Sequence, residues 1–432
     1  MALNVLLIGS GAREHAIAWK VAQSPNLGKL WIGPGNAGTA AYGENVEVET
    51  TDPEAVLALA QRIHADLVIV TPDDPLAAGV VDCLEAAGIA AFGPTRAAAE
   101  IEWSKSFAKQ LMADAGIATA GAKTFDNAWE AREFARAIYM ADLQCVVKAD
   151  GLALGKGVVV CDTVAEALQA IEDAMVHNRF GPAGARIVIE QRMTGRETSA
   201  HAFTDGVTVR HMPFSCDYKP VFDGNVGPNT GGIGVYSPPG WLDPAIQSAI
   251  ENEVTERAVR ALAAAGRPYR GVIYPGMMLT ADGPQVVEFN SRFGDPETEV
   301  LLPRLRSDLL DICHAVAHGR LAEVPVEWSD DATVGVMMAS AGYPGEYETG
   351  FPIEGIDSVD SDVHVFIAGA QRDEAGVLRT SGGRVLCVVA IGATVAEART
   401  RAYDNVRRIH FEGAHYRTDI GATADAPIEA SR

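Results

Sequence analysis

Two polar side chains in an apolar strand pattern are the first candidates for chemistry. Residues 286–290 read Val-Val-Glu-Phe-Asn, and successive side chains of a strand point to opposite faces. Glu288 and Asn290 therefore share one face, and their oxygens are hard ligands of the kind that Mg²⁺ takes beside nucleotide phosphates. Arg292 follows and could hold a phosphoryl group during its transfer. The alternative is the polar end of a strand on a solvated surface.

A lysine and a glycine-rich turn between two strand patterns form a second candidate. The turn at 151–157 contains three glycines and a lysine, and it joins strands predicted at 145–148 and 158–161. Because it does not lead into a helix, it is not a Walker A loop, and it suits a flap over a triphosphate. Lys148 lies in an apolar strand, where an unpaired ammonium is costly, and a phosphate would remove that cost. The alternative is a plain hairpin whose lysine reaches solvent.

A glycine-rich stretch lies between these two candidates. Residues 227–234 read Gly-Pro-Asn-Thr-Gly-Gly-Ile-Gly, and we predict a loop over 223–234 that brings backbone close to a substrate. Asp217, just upstream, is a candidate for binding a substrate ammonium. The alternatives are a mobile surface loop and an ordinary turn residue.

Glycines also end the first two strand patterns. The run at 9–11 resembles a dinucleotide-binding fingerprint, but Glu14 replaces its third glycine and no acidic residue ends the second strand. What remains is a helix N-terminus that can bind one phosphate, to which Arg13 and His15 could add charge-assisted bonds. The loop at 35–38 leaves the neighbouring strand and can share that anion. Two tight turns without a ligand are the alternative.

The composition and charge of the chain limit its class and its partners. The chain has 432 residues, 48% of them hydrophobic, and a net charge of −22, so it repels nucleic acid and anionic lipid. Six scattered cysteines without a CxxC pair indicate reduced thiols. The first apolar run is too short for a signal peptide, and no segment approaches the ~20 apolar residues of a membrane span. We therefore expect a soluble cytoplasmic protein without nucleic-acid or membrane partners.

The elements that must position these residues change character near residue 104. Before it, strand and helix patterns alternate, which predicts a parallel sheet covered on both faces: strands 3–8, 29–32, 67–70 and 89–92, and helices 12–22, 53–64 and 75–87. After it, strands that look antiparallel mix with helices at 104–115, 127–140, 243–265 and 394–408.

The motifs together resemble the glycinamide ribonucleotide synthetase family (phosphoribosylamine–glycine ligases) of the ATP-grasp superfamily. The resemblance runs from residue 1 to about 421, and it rests on segments 9–16, 34–39, 148–157, 227–234 and 288–298. It implies an α/β fold with an N-terminal doubly wound domain, an ATP-grasp core with a small lid, and a C-terminal mixed α+β domain. The implied boundaries are 1–103 for the first domain, 104–123 with 194–328 for the core, 124–193 for the lid and 329–432 for the last domain.

The resemblance also implies roles for individual residues. The metal ligands would be Glu288 and Asn290, and the catalytic residues would be Lys148, Arg292 and Asp295. The ATP-binding residues would be Lys105, Lys148, Gly151, Gly155, Lys156, Gly157, Glu190, Gln191 and Glu197. The substrate-binding residues would be Gly9, Gly11, Arg13, Glu14, His15, Gly35, Asn36, Gly38, Asp217, Asn229, Thr230, Gly231 and Gly232. The chain departs from the family pattern at Trp103, Pro220 and Ile233.

The implied activity is ATP-dependent ligation of glycine to 5-phosphoribosylamine through glycyl phosphate, in purine biosynthesis. The cofactor would be Mg²⁺ or Mn²⁺, and the enzyme a monomer, with a dimer as the alternative. Three other functions stay open: an ATP-grasp ligase that uses bicarbonate or formate, a nucleotide sensor without turnover, and a dehydrogenase, which the N-terminal glycine motif disfavours.

Overall fold

A parallel sheet organises the N-terminal part of the chain in a computed structural model that describes residues 2–152 and 157–426. Its strand order is β3-β2-β1-β4-β5, and every pairing is parallel, as predicted. The strands are β1 (Leu3–Gly9), β2 (Leu27–Pro34), β3 (Glu44–Asn45), β4 (Leu67–Val70) and β5 (Ala90–Phe92). Helices cover both faces, which explains why β1 and β4 are continuous apolar runs.

The helices around this sheet are α1 (Ala12–Val21), α2 (Pro53–Arg62), α3 (Asp73–Ala78), α4 (Val80–Ala86) and α5 (Arg96–Trp103). Asp52 caps α2, since its carboxylate accepts the N–H groups of Glu54 and Ala55. The prediction of a single helix at 75–87 is wrong. The chain breaks there at Gly79, whose left-handed φ of 89° ends α3 and begins α4.

A four-stranded antiparallel sheet forms a small unit with its own core. Its order is β6-β9-β7-β8, with β6 (Ala122–Phe125), β7 (Cys145–Ala149), β8 (Val158–Cys161) and β9 (Ile187–Gln191). Helices α7 (Ala128–Met140) and α8 (Val164–Ile171) cover one face, and α6 (Lys105–Ala115) precedes the unit. Strands β7 and β8 pair as the predicted hairpin. Part of its turn, 153–156, lies outside the described residues.

A second antiparallel sheet contains the strand pair predicted to bind metal. It consists of β10 (Arg196–Ser199), β11 (Ala202–Thr204), β12 (Val209–His211), β17 (Gly271–Thr280) and β18 (Gly283–Asn290). The helices nearby are α9 (Pro244–Ile250), α10 (Glu256–Ala264), α11 (Glu297–Leu301) and α12 (Leu309–Ala317). A π-helical turn at 251–255 joins α9 to α10, so the predicted helix at 243–265 is nearly continuous.

A third sheet joins the middle of the chain to its C-terminal part. Its order is β13-β16-β19-β23-β20, with β13 (Cys216–Asp217), β16 (Gly234–Ser237), β19 (Ala332–Ala339), β20 (His364–Ile367) and β23 (Arg384–Gly392). A ribbon of β21 (Ala370–Arg372) with β22 (Leu378–Thr380) and helix α13 (Val395–Val406) complete this part. The sheet therefore crosses the boundary predicted at 328, and the domain limits stay predictions.

The prediction of a loop over 223–234 is wrong in part. Strand β15 (Val226–Asn229) pairs with β14 (Pro220–Phe222) as a two-stranded ribbon. A turn containing Gly224, with φ of 71°, connects the two strands. Glycines therefore serve the turn of a hairpin here, and only 230–233 lie between strands. In the described part of the chain, no helix has the length and apolar character that crossing a membrane requires.

Candidate active site

A cleft of about 630 Å³ lies where the small antiparallel unit faces β17 and β18. It brings the β7–β8 hairpin and the predicted metal pair to the same space, as the sequence predicts. Fifteen of the predicted site residues line it: Lys105, Lys148, Gly151, Gly157, Glu190, Gln191, Glu197, Asp217, Asn229, Thr230, Gly231, Glu288, Asn290, Arg292 and Asp295.

The other predicted residues form two groups. Gly155 and Lys156 fall outside the described residues. The remaining ones are not among the cleft-lining residues: Gly9, Gly11, Arg13, Glu14, His15, Gly35, Asn36, Gly38 and Gly232.

The two predicted metal ligands lie side by side at the end of β18. Glu288 is opposite Gly276 and Asn290 is opposite Tyr274, and both side chains reach the cleft. The Asn290 Oδ1 accepts a hydrogen bond from Arg292 at 3.2 Å. No three acidic, histidine or cysteine side chains converge as a metal cluster in the described residues. One carboxylate and one amide oxygen fit a hard cation that takes its other ligands from phosphates and water.

Lys219, which was not predicted as a site residue, lies between the carboxylates of Glu197 and Glu288. The Lys219 Nζ is 3.4 Å from Glu197 and 3.9 Å from Glu288. Attraction to Glu197 raises the pKa of Lys219 well above its usual range, although burial opposes this. Burial would raise the pKa of Glu288, but Lys219 and Lys148 outweigh it and the pKa is lowered. Because Asp217 and Lys219 are two residues apart, strand alternation was the signal that could have indicated this lysine.

The predicted phosphate-binding lysine already has a protein partner. The Lys148 Nζ is 3.0 Å from the Glu190 carboxylate and donates to the Val287 carbonyl at 2.9 Å. Lys109 reaches the same carboxylate at 3.2 Å. Glu190 therefore already offsets part of the cost of burying the Lys148 ammonium, and phosphate binding by Lys148 stays a prediction. Lys109 was missed, although it lies one helical turn after Lys105 on α6 and faces the same side.

Arg292 is held in place at the cleft by a buried carboxylate. Its Nη2 is 3.1 Å from Glu102 Oε1, while Glu102 Oε2 accepts the backbone N–H of Ser291 at 2.8 Å. Burial opposes the charge of Arg292, but Glu102 and Asp73 raise its pKa further. Glu102 and Asp73 also line the cleft and were missed. Glu102 belongs to α5, which was not predicted.

The helix N-terminus at Gly11 is already paired with an anion. The Gly11 N–H donates to the Glu14 carboxylate at 2.6 Å, and that carboxylate also accepts from Thr71 at 2.6 Å and from Arg13 at 2.6 Å. The chain's own carboxylate therefore occupies the Gly11 N–H, and phosphate binding at the other N–H groups of this loop stays a prediction. Arg13 also donates to the Phe293 carbonyl at 3.1 Å.

The surroundings of His15 favour its neutral form. Its Nδ1 accepts the backbone N–H of Ile367 at 2.7 Å, and burial, aided by His364, lowers the pKa of His15 to about 4. A charge-assisted bond from His15 to a phosphate stays a prediction. The Asn36 amide donates to the carbonyls of Ser10, Gly11 and Ile367. These loops join the N-terminal sheet to the C-terminal part of the chain, and their contact with a substrate phosphate stays a prediction.

The family departure at Pro220 has a structural counterpart. The Arg417 guanidinium donates to the Pro220 carbonyl at 2.9 Å and lies 4.6 Å from the centre of the Tyr218 ring. It also forms a bidentate pair with Asp419. The Arg417 guanidinium, from the C-terminal part of the chain, therefore lies beside Pro220, although residue 220 itself is not basic.

Comparisons with known proteins agree along the whole chain. Models of the phosphoribosylglycinamide synthetase family match at 3–102 (N domain), 103–298 (ATP-grasp domain) and 333–423 (C domain). The chain is 47% identical over 427 residues to phosphoribosylamine–glycine ligase of Rhodopirellula baltica, covering 98% of each. It is 32% identical in sequence to phosphoribosylamine–glycine ligase from Thermotoga maritima, for which a crystal structure is known. The two structures have a TM-score of 0.83, and the match covers 96% of this chain and 100% of that one.

More distant structures share the architecture. A biotin carboxylase from Campylobacter jejuni has a TM-score of 0.74 at 15% identity, over 99% of this chain and 96% of that one, a likeness of fold alone. The matches to the family models show more than a likeness of fold. They follow one another along the chain, and they include every predicted site residue. They confirm both the resemblance and the fold class inferred from the motifs. The chain belongs to the phosphoribosylglycinamide synthetase family.

Proposed function

We propose that the cleft ligates glycine to 5-phosphoribosylamine, with ATP converted to ADP and phosphate, in purine biosynthesis. The observation that carries this proposal is the meeting of Lys148, the β7–β8 hairpin and the Glu288–Asn290 pair in one space. The names of the full-length relatives support the choice of substrates. The proposal includes a monomer, with a dimer as the alternative, that works in the cytoplasm on small molecules.

In this proposal the nucleotide enters between the small antiparallel unit and β18. The backbone at Glu190–Gln191 would contact adenine, and Lys105 and Lys148 would approach the phosphates. Glu288 and Asn290 would hold the divalent cation, for which we propose Mg²⁺, with Mn²⁺ as the alternative. Such a cation neutralises phosphate charge and orients the γ-phosphoryl group.

The reaction would proceed by two displacements. A glycine carboxylate oxygen attacks the γ-phosphorus and ADP leaves, which gives glycyl phosphate. The amine of phosphoribosylamine then attacks the glycyl carbonyl, loses a proton, and phosphate leaves. Arg292 and Lys219 would offset charge on the moving phosphoryl group. Positioning accounts for most of such catalysis, and the glycine-rich turn would exclude water that hydrolyses the acyl phosphate.

The function is tested by measuring ADP release from the purified chain. We expect release only when ATP, a divalent cation, glycine and freshly generated phosphoribosylamine are all present. Release that depends on bicarbonate or formate, and not on glycine, would identify a different ATP-grasp ligase. Tight ATP binding without any release would identify a nucleotide sensor. Either result would overturn the proposal.

Asp217 is proposed to bind the glycine ammonium, which predicts a pH dependence. Burial raises the pKa of Asp217 to about 7, and Lys219 opposes this while Glu297 and Glu197 add to it. The carboxylate form therefore dominates above that pH and is lost as the pH falls below it. We expect kcat/KM for glycine to fall about tenfold per pH unit below 7, since this parameter reports the free enzyme.

The control for this prediction is Asp217→Asn, measured from pH 6 to pH 8. This variant should have a raised KM for glycine and lack the wild-type dependence over this range. An unchanged pH profile in the variant would show that another group titrates.

A further inference from the structure

Two side chains from the C-terminal part of the chain bind the backbone of one glycine at the cleft. The Gly231 N–H donates to the Tyr343 hydroxyl at 3.1 Å, and the Gly231 carbonyl accepts from Arg384 Nη1 at 2.8 Å. Gly231 and its neighbour Thr230 line the cleft, whereas Tyr343 and Arg384 are not among the lining residues. Both polar groups of this glycine are therefore held from outside the cleft.

Arg384 also holds a second element of the cleft. Its Nη1 donates to the Asp295 carbonyl at 3.0 Å, and its Nη2 is 3.0 Å from the Asp295 carboxylate. The Gly232 carbonyl, at 3.3 Å, is a further acceptor. A guanidinium has five N–H donors fixed in one plane, so it can join the glycine stretch and Asp295 at a set distance. A lysine ammonium keeps the charge but lacks this planar arrangement.

The packing around these contacts leaves little room for adjustment. A Cβ added to Gly231 would lie 3.2 Å from the Arg384 Cζ, and one added to Gly232 would overlap the Pro296 ring. A Cβ at Gly383, beside Arg384, would overlap the Tyr343 ring. Because these backbones are in close contact with their neighbours, a displacement of either side chain must displace the cleft backbone.

The contacts of Tyr343 and Arg384 at the cleft are with Gly231, Gly232 and Asp295. The predicted nucleotide-binding residue Lys148 has other partners, Glu190 and the Val287 carbonyl. A change at Tyr343 or Arg384 therefore acts on the substrate side first.

We propose that Tyr343 and Arg384 are positioning residues for the ligase reaction. They hold the backbone of Gly231 and the carboxylate of Asp295 in the places where these groups would meet the substrates. This inference rests on the proposed function and deepens it. Neither residue touches substrate in the proposal; they act through Gly231 and Asp295. The reaction requires the acyl phosphate and the amine to meet at a set distance, and small displacements of a positioned group lower kcat strongly.

The experiment compares Tyr343→Phe with Tyr347→Phe in the full-length chain. Tyr343→Phe removes only the hydroxyl that accepts from Gly231. Tyr347, whose ring centre is 6.4 Å from that of Tyr343, is the matched control. We expect Tyr343→Phe to lower kcat/KM for glycine and for phosphoribosylamine about five- to tenfold, the usual effect of one lost hydrogen bond. The KM for ATP should stay within twofold, and the control should match the wild type.

A second variant, Arg384→Lys, should lower the same two kcat/KM values about a hundredfold, since it disturbs both Gly231 and Asp295. The two substitutions should be non-additive when combined, because both act on Gly231. If Arg384→Lys does not fold, Tyr343→Phe still decides. Values within twofold of wild type for Tyr343→Phe, or an equal change in the KM for ATP, would overturn the inference.

The two proposals fail in different ways. A wild-type chain without glycine-dependent ADP release would overturn the proposed function, and this inference with it. An active wild type whose Tyr343→Phe variant is unchanged would overturn this inference and leave the proposed function standing.

Discussion

Glu288→Gln will abolish ligase turnover and leave the chain folded. The substitution keeps the size of the side chain but removes the only charged oxygen of the proposed metal pair, and it leaves Lys219, 3.9 Å away, with one fewer partner. Charge stabilisation of a transferring phosphoryl group by a bound cation contributes several kcal/mol, so we expect a fall in kcat of about a thousandfold or more. ADP release measures the activity, and circular dichroism with thermal unfolding measures the fold.

Glu253→Gln is the control for the loss of one negative charge, because Glu253 is exposed in the turn between α9 and α10. It should behave as the wild type. In Glu288→Gln, the concentration of divalent cation at half-maximal residual activity should rise, which separates weak metal binding from a folding defect. Turnover within tenfold of wild type in this variant would contradict the metal assignment.

Arg292→Lys will lower kcat by about a hundredfold or more while ATP binding changes little. Lysine keeps the positive charge but has a single nitrogen, whereas the guanidinium contacts Glu102 and Asn290 through Nη2 at 3.1 and 3.2 Å and the Phe293 carbonyl through Nη1 at 3.3 Å. The charge that should meet the phosphoryl group is then misplaced, and effects of this size follow the loss of one preorganised donor. Single-turnover ADP formation gives the chemical step, and calorimetry gives the affinity for ATP.

The matched control is Arg270→Lys, which changes another arginine–glutamate pair, with Glu85 at 3.2 Å and near the surface. Exposed pairs of this kind contribute little, so activity should be unchanged. A kcat for Arg292→Lys within threefold of wild type would show that this guanidinium does not meet the reacting group.

The chemistry of the cleft was most predictable where it follows from local periodicity. The alternation at 286–290 was enough to put Glu288 and Asn290 on one face, and both line the cleft. The hairpin around 151–157 was predicted because its flanking strands are short, apolar and adjacent. The partner of Lys148 was not predictable, because the pairing of β7 with β9 brings Glu190 to it and no local pattern encodes that register.

The N-terminal loops contain a local signal that the sequence prediction did not use. A glutamate three residues after a helix N-cap commonly accepts the N–H groups there, and Glu14 does so at Gly11. The burial of His15 could not be foreseen, since its hydrogen bond comes from Ile367 in β20. Tyr343 and Arg384 were missed for the same reason: an arginine at the start of a strand normally suggests solvent, and its acceptors lie far away in the chain.

The third sheet also fixes the order in which the protein can be completed during synthesis. The N-terminal sheet has all its strands once Phe92 has left the ribosome. In the third sheet, β16 gains its neighbour β19 only after Ala339 has emerged, and β19 gains its neighbour β23 only after Gly392 has emerged. At typical elongation rates the stretch of chain from Phe92 to Gly392 takes roughly 15–60 seconds to synthesise. The nascent chain therefore lacks β19 and β23, which complete the sheet that contains Asp217, for much of its translation. The proposed binding of both substrates would then arise only near the end of synthesis.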